Sequence, residues 1–388
     1  MIEIKNPADC CGCTACASIC NHDAITMKPD SLDFLYPEVD KEKCVDCNLC
    51  NKVCPIQSRK GIVDKTSETP LQYKAIRIKD ETVLENSSSG GAFSMLANII
   101  FGIGGVVCGV EYTENGMAKH TIIENQNELY KLRGSKYVQS EVLGIYKSVK
   151  NRLKRGQILL FSGTPCQIDG LKHFLRKEYT NLLTVDLVCH SVPSPFVYKD
   201  YISYCSKVLG YEIASIDMRY KRTYGWSHRY SYRFNFKNGK STIDPPYVVN
   251  WGRLFFSGMI NRPSCGDCQY TNLNRTGDFT IADFWDDDRK RPDIYSKKGT
   301  SLLLINSEKA QKLLKEYSEG YYSWDITKEE ALQPSLCHVT KQNKMRDDFL
   351  CDYKNKGFEY AYKSYFADSN YQIMKKIIKR IIRKWQKK

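Results

Sequence analysis

Two runs near the N-terminus repeat the spacing C-x-x-C-x-x-C-x-x-x-C. The first is Cys10, Cys13, Cys16 and Cys20; the second is Cys44, Cys47, Cys50 and Cys54, followed by Pro55. Thiolates in this phase hold iron–sulfur cubes, three ligands coming from one run and the fourth from the other. The expected sets are Cys10, Cys13, Cys16 and Cys54 for one [4Fe-4S] cluster, and Cys44, Cys47, Cys50 and Cys20 for a second. Cys11 is out of phase and reads as a free thiol near a cluster, and Asn21 stands where many such runs carry proline. Paired structural zinc is the competing reading, but zinc sites favour two C-x-x-C pairs set farther apart. The neighbouring carboxylates Asp9, Asp23, Asp30, Asp33 and Asp46 push electrostatically toward low potential.

Further along, Gln157 to Phe161 is an apolar run ending in Ser162-Gly163-Thr164-Pro165-Cys166-Gln167, and the residues to Leu175 look helical. Leu182 to Val188 is a second apolar run, ending in Cys189-His190-Ser191. Both cysteines thus stand at the carboxyl end of an expected strand, where open α/β sheets gather their ligands. Arg262-Pro263-Ser264-Cys265-Gly266-Asp267-Cys268 adds a C-x-x-C in a turn, ahead of a strand Phe279–Ala282 that ends in Asp283. Cys166, Cys189, Cys265 and Cys268 make a complete ligand set for a third [4Fe-4S] cluster. Inert buried thiols with an empty or zinc-filled Cys265/Cys268 pair remain the alternative, because distant pairings are not readable from spacing.

The elements that must position these groups are also visible. Tyr73–Ile78 and Gly105–Val110 read as strands, and Ala92–Ile100 reads as a helix preceded by Ser87-Ser88-Ser89-Gly90-Gly91. Small residues before a helix leave N–H groups bare at its positive end, which suits a phosphate; an ordinary N-cap loop is the plainer reading. Arg133 to Ser140 is a polar turn in which Lys136 could meet a phosphate and Tyr137 a ring.

At 388 residues and a net charge of +14, the chain exceeds one ordinary domain. Seventeen cysteines are too clustered for a disulfide scaffold, and low-potential clusters favour a reducing compartment, so a cytoplasmic location is expected. No signal core opens the sequence, and no apolar stretch approaches the ~20 residues of a spanning helix. Residues 371–388 hold six lysines, two arginines and no acids, leaving 14 − 8 = +6 for the rest. There Ile373, Met374, Ile377, Ile378, Ile381, Ile382 and Trp385 repeat at helical spacing opposite the cations. Such a basic amphipathic helix suits peripheral contact with the inner membrane face, or docking on its own domain. No nucleic-acid fold signature accompanies the charge. The expected organisation is a ferredoxin module at 1–57, a linker at 58–70, a body at 71–365 and the tail helix at 366–388.

The segments Ser87–Ser94, Gly134–Ser140, Ser162–Leu171, Val185–Pro195, Arg262–Cys268, Phe279–Trp285 and Lys298–Ser301 together resemble the coenzyme F420 hydrogenase/dehydrogenase beta-subunit family. The chain is similar also to the 7-hydroxymethyl chlorophyll a reductases of that superfamily. The resemblance implies a two-[4Fe-4S] ferredoxin-like domain, then a larger mixed α/β flavoprotein domain, in an α+β and α/β chain. It implies FAD beside the clusters, and makes Ser88, Ser89, Gly90, Gly91, Lys136, Tyr137, Gln139, Thr164 and Asp283 cofactor-site candidates. It strengthens the third-cluster set. Two departures stand near the presumed active face: Ser191 where relatives carry glycine, and Asp286-Asp287-Asp288 after Trp285 where many carry glycine.

The implied function is an iron–sulfur flavoprotein oxidoreductase. It would pass electrons from a low-potential donor such as ferredoxin, through the clusters and FAD, to an organic or sugar-linked substrate. Several bacterial relatives with the same module are encoded among polysaccharide-biosynthesis functions. His190 and His228 are proton-donor candidates, and Lys221, Arg222 and Arg229 candidate holders of an anionic substrate. An F420-dependent electron-input subunit and a non-catalytic electron carrier are the alternatives.

Overall fold

The computed structural model describes residues 1–58, 70–226, 231–248, 250–285 and 291–366, with isolated positions 368, 374, 377, 378 and 382. Residues 59–69 of the expected linker, His228, Arg229, Asp286–Asp288 and most of the tail therefore lie outside the described residues.

Strand β1 (Ile25–Pro29) pairs antiparallel with β2 (Leu35–Val39) in the ferredoxin module. The body is built on an eight-stranded mixed sheet that begins with β3 (Gln72–Ile78), β4 (Val106–Tyr112) and β5 (Ala118–Ile123). It continues with β6 (Leu159–Gly163) and β7 (Leu182–Leu187). A separate antiparallel sheet holds β8 (Ile213–Asp217), β9 (Arg233–Phe236) and β10 (Ser241–Ile243). Then β11 (Phe279–Asp283), β12 (Ser301–Ile305) and β13 (Tyr321–Asp325) return to the large sheet, whose order is β13-β3-β12-β11-β7-β6-β4-β5. Its middle strands β4, β6, β7 and β11 run parallel. That accounts for their near-continuous apolar runs, since helices cover both faces of a parallel sheet. The expected body strands are all present; the β8–β10 sheet was not anticipated.

The parallel order puts the carboxyl ends of β6, β7 and β11 side by side. Beyond β6, the helix Pro165–Leu175 starts with proline in its first turn, and Gln167 Oε1 accepts from the Thr164 N–H at 2.9 Å. At the end of β7, the fully buried Asp186 pairs with Arg275 at 2.8 Å and accepts from the N–H groups of Thr276 and Gly277. Arg275 also donates to the Tyr270 carbonyl at 2.8 Å, so one buried ion pair ties the segment after Cys268 to the strand before Cys189.

The ferredoxin module is fused into the body rather than hung from it. Ala15, Ile19 and Val53 share a core with Tyr146, Ile168 and Leu171, while Leu32 and Phe34 join Tyr198, Trp251 and Phe255. Burying Phe34 completely contributes roughly 1.5–3 kcal/mol. The helix Arg346–Phe366, broken at Gly357 (φ 81°), covers the second core and ends where the tail was expected to begin. Among the described residues no helix is long and apolar enough to cross a membrane.

One close approach between module and body is at Gly170, in the middle of the helix Pro165–Leu175. A Cβ there would lie 2.7 Å from Cys13 Cβ and 2.8 Å from Cys13 Sγ. On an exposed helix, Gly→Ala stabilises by about 0.4–1 kcal/mol. Here the sign reverses: Gly170→Ala is expected to cost about 1–3 kcal/mol by overpacking, read as a lowered thermal midpoint of the anaerobic holoprotein.

Candidate functional site

Three cysteine groups come together in series. At the surface, Cys20, Cys44, Cys47 and Cys50 line one cavity with Ile19, Ile25 and Val39, and Cys47 is exposed. The Ile2 N–H donates to Cys50 Sγ at 3.2 Å, the kind of backbone bond that stabilises a thiolate. Deeper, the charges of Cys10, Cys13, Cys16 and Cys54 act on one another. Burial, followed by Cys10 and Cys54, drives the Cys16 thiol well up. Burial also raises Cys54, with Cys10 and Cys50 adding to it. Cys50, expected in the other set, acts on both Cys16 and Cys54 as well, so all eight cysteines of the two runs gather in one module.

The third group lies beyond. Burial, Cys265, Cys166 and Cys268 all raise the Cys189 thiol. Burial pushes Cys265 up to about 12 and Cys268 up to about 11, with Cys166 adding to both. Cys166 and Cys189 follow adjacent parallel strands, and Cys265 and Cys268 flank the end of the short turn Pro263–Asp267. Four half-buried thiols that oppose one another's ionisation are an unfavourable set without a cation and a favourable one around iron, which reverses that electrostatic balance. The donor sets therefore fit [4Fe-4S] clusters. No three His, Cys, Asp or Glu side chains among the described residues converge tightly enough for a single metal ion. A cube asks for looser spacing, because each thiolate serves a different iron.

Cys11 is more than a free thiol nearby. Its thiol interacts electrostatically with both Cys13 and Cys166, so it stands between the deeper ferredoxin group and the third group. Its carbonyl accepts from Gln139 Nε2 at 3.2 Å.

A cavity of about 600 Å³ opens in the body, within the size range of cofactor sites. Ser87 and Ser88 border it on one edge, Arg133 to Lys136 on a second, and β8, β9, Arg219 and Tyr220 on a third. Ser88 Oγ accepts from Ser135 N–H at 2.9 Å and lies 3.0 Å from Ser135 Oγ, joining two of these edges. Five cations (Lys131, Arg133, Lys136, Arg219, Arg233) face three carboxylates (Glu85, Glu111, Asp217), and Tyr112, Tyr130 and Tyr220 supply rings. Arg133 donates its Nε to Ser94 Oγ at 3.2 Å. Burial depresses Lys136 to about 7, while its ammonium donates to the carbonyls of Lys131 and Arg133.

Of the expected cofactor residues, only Ser88 and Lys136 line this cavity. Ser89 Oγ donates to the Thr300 carbonyl, and a Cβ on Gly90 would lie 2.2 Å from the Ile76 carbonyl oxygen. Gly90 is thus required by strand packing. Gly91 is the left-handed residue (φ 85°) that starts the helix Ala92–Gly102. Tyr137 stacks on Phe255 at 4.7 Å, and its carbonyl accepts from Trp251 Nε1 at 2.6 Å. Gln139 serves Cys11, Thr164 bonds to Cys166 Sγ at 3.2 Å, and Asp283 pairs with Arg219 at 2.8 Å while accepting from Trp226 Nε1. Sequence reasoning missed Arg219, Ser135 and the β8–β9 wall; only tertiary folding brings them to one cavity.

His190 follows Cys189 of the third cysteine group and does not line the cavity. Its ring is 5.4 Å from Phe255, Nδ1 is 3.2 Å from Thr340 Oγ1, and burial lowers its pKa. Neither anion-holding candidate that is described is idle. Arg222 bonds Asn86 and pairs with Glu85. Lys221 is buried, donating to the carbonyls of Ser89 (2.6 Å) and Lys298.

Residues 73–147 and 156–329 match the N-terminal and C-terminal parts of the family described as coenzyme F420 hydrogenase/dehydrogenase, beta subunit. Residues 9–58 match a 4Fe-4S dicluster domain. No curated protein matches the chain. Among solved structures, the chain is similar to one from the F420-reducing [NiFe] hydrogenase complex of Methanosarcina barkeri, at 15% identity and a TM-score of 0.47. The match covers 78% of this chain and 94% of that one.

Burial depresses Lys221 to about 7; Asp283 and Glu85 pull the other way, and Arg219 and Arg77 add to the depression. A lysine that is charged when unfolded and neutral when folded makes the unfolded chain bind more protons. Stability from this group therefore rises with pH between about 7 and the ordinary lysine value of 10.5. Lys221→Met is expected to flatten that rise, seen as a smaller difference in thermal midpoint between pH 7 and pH 10 than in the parent protein.

Proposed function

Since the chain belongs to the coenzyme F420 hydrogenase/dehydrogenase beta-subunit family and carries a 4Fe-4S dicluster domain, we propose that it is a flavin-dependent reductase. Its own ferredoxin module would supply the electrons, drawn from a low-potential one-electron donor of the ferredoxin type. The observation that carries the reading is the 600 Å³ cation-rich cavity, linked to the third cysteine group by two ring contacts and two steps along the chain. Cys189 is followed by His190, His190 packs on Phe255, Phe255 stacks on Tyr137, and Tyr137 follows the cavity residue Lys136.

The cavity suits FAD. Arg133, the Ser88–Ser135 pair and Lys136 would hold the pyrophosphate, and the tyrosines would bracket the rings. Bound there, a flavin supplies the exchange between one-electron and two-electron chemistry that clusters alone lack. The residues do the rest. Arg219, locked by Asp283 and reaching Tyr137, keeps a fixed charge in the cavity wall. Burial near Phe255 and Phe256 keeps His190 neutral at pH 7, able to hold a proton in place through Thr340. The acceptor we propose is an organic, sugar-linked molecule whose anionic part meets the cations left over in the cavity.

Anaerobic analysis of iron, sulfide and flavin tests this. About twelve irons and about one FAD per chain are expected. Arg133→Ala is expected to weaken FAD binding about tenfold or more with iron content unchanged. About eight irons and no flavin after incubation with FAD would refute the reductase. Rapid reduction or oxidation of F420 would favour an electron-input subunit instead.

We also propose that the tail touches the membrane surface. The described tail positions Met374, Ile377, Ile378 and Ile382 are helical and 39–63% exposed, in a segment whose other residues are mostly basic. Co-sedimentation with vesicles rich in anionic lipid, lost at high salt and after Ile378→Asp, is the expected outcome; equal binding to neutral vesicles would refute it.

A further inference from the structure

A buried cation needs negative charge close by, and Arg262 lacks the usual source. Its side chain is fully buried (0% exposed), yet among the described residues no carboxylate forms an ion pair with it. Its donors go elsewhere. Nε donates to the Cys10 carbonyl at 2.7 Å, Nη2 to the Leu35 carbonyl at 2.8 Å, and Nη1 to Gln139 Oε1 at 3.2 Å. Nη2 also reaches Cys10 Sγ at 3.5 Å. Phe34 and Tyr36 flank the guanidinium at 5.3 and 4.5 Å. Room for it is left by Gly12, where a Cβ would lie 2.7 Å from Arg262 Nη1. Meanwhile the Arg262 backbone belongs to the third cysteine group: its carbonyl accepts from the Cys265 N–H at 3.0 Å.

We propose that Arg262 tunes the iron–sulfur site of Cys10, Cys13, Cys16 and Cys54, raising its reduction potential through a permanent charge and a charge-assisted hydrogen bond at the Cys10 sulfur. The proposal rests on the dicluster ligand set and is independent of whether the cavity binds flavin. Reduction of a cube by a ferredoxin-type donor adds one electron and no proton, so the site gains a full negative charge. Burial opposes that gain, and a fixed guanidinium beside a ligand sulfur favours it. Lysine could supply the charge but not the fork that spans Cys10, Leu35 and Gln139. Among the described residues the surface site has no buried guanidinium: Cys47 is exposed, and the cation nearby, the Met1 ammonium, is solvent-exposed and lies 3.9 Å from the Asp46 carboxylate. Arg262 thereby separates the potentials of two cubes that have the same ligand spacing.

The test is a redox titration followed by electron paramagnetic resonance on the anaerobically reconstituted full-length protein. Cys47→Ser marks the signal of the surface site. In Arg262→Gln, the reduction equilibrium of the other ferredoxin-module site is expected to fall at least tenfold, about 59 mV for a one-electron couple. The surface site should not move, and Arg262→Lys should recover part of the loss. An unchanged potential in Arg262→Gln at full iron content overturns the proposal. So does an equal fall in the lysine and glutamine variants, which would make the effect one of packing. Should the glutamine variant fail to hold iron, pulsed resonance on the reduced parent protein carrying 15N-arginine decides instead. A nitrogen coupling to the ferredoxin-module site other than the one marked by Cys47→Ser is expected, and its absence overturns the proposal.

Discussion

The seat of the first cysteine run against the body is the constraint on which the rest depends. Cys13 touches a helix that only glycine at position 170 allows so near. Arg262 reaches from the third cysteine group to the carbonyl of Cys10, and Cys11 interacts with thiols on both sides. Phe34 and Leu32, buried in the body's second core, hold the module from its other side. A tethered ferredoxin could tolerate looseness; electron transfer between fixed sites in one core cannot.

Burial acts with opposite sign on the two halves of the site. It drives the cysteine thiols up, toward their neutral form, and the ammonium groups of Lys136 and Lys221 down, toward theirs. Each shift describes a charge taken out of water without a full counter-charge. Iron would relieve the first, and an anion in the cavity would relieve the second for Lys136. Lys221 belongs to a different category: its ammonium ties Ser89 to Lys298 and supports the cavity wall from behind. Asp186 and Arg275 show the satisfied alternative, a buried pair with its remaining hydrogen-bonding capacity met by backbone, and it holds the loop that bears Cys265 and Cys268.

Ligand spacing is a local property, so the dicluster module and its eight cysteines could be read directly from the chain. The apolar runs of β4, β6, β7 and β11 were equally plain, because a parallel sheet covered on both faces demands continuous hydrophobicity. The strand-end positions of Cys166 and Cys189 followed from those runs. Other features needed the fold. Gly90 looks like a phosphate-loop glycine in sequence, and is instead packed against β3 and the start of β12. The β8–β9 wall of the cavity comes from a second sheet whose strands are too short and too polar to announce themselves.

By itself, then, the sequence determined the chemistry: which thiols could bind iron, and the sheet that would carry some of them. Tertiary structure decided what surrounds those thiols, namely the cation at Cys10 and the thiol between two groups, and it decided the cavity bordered by β8 and β9. The physical reason is range. Cluster ligation and strand patterning repeat over a few residues, whereas the contact between Arg262 and Cys10 spans 252 positions and exists only once both cores have closed.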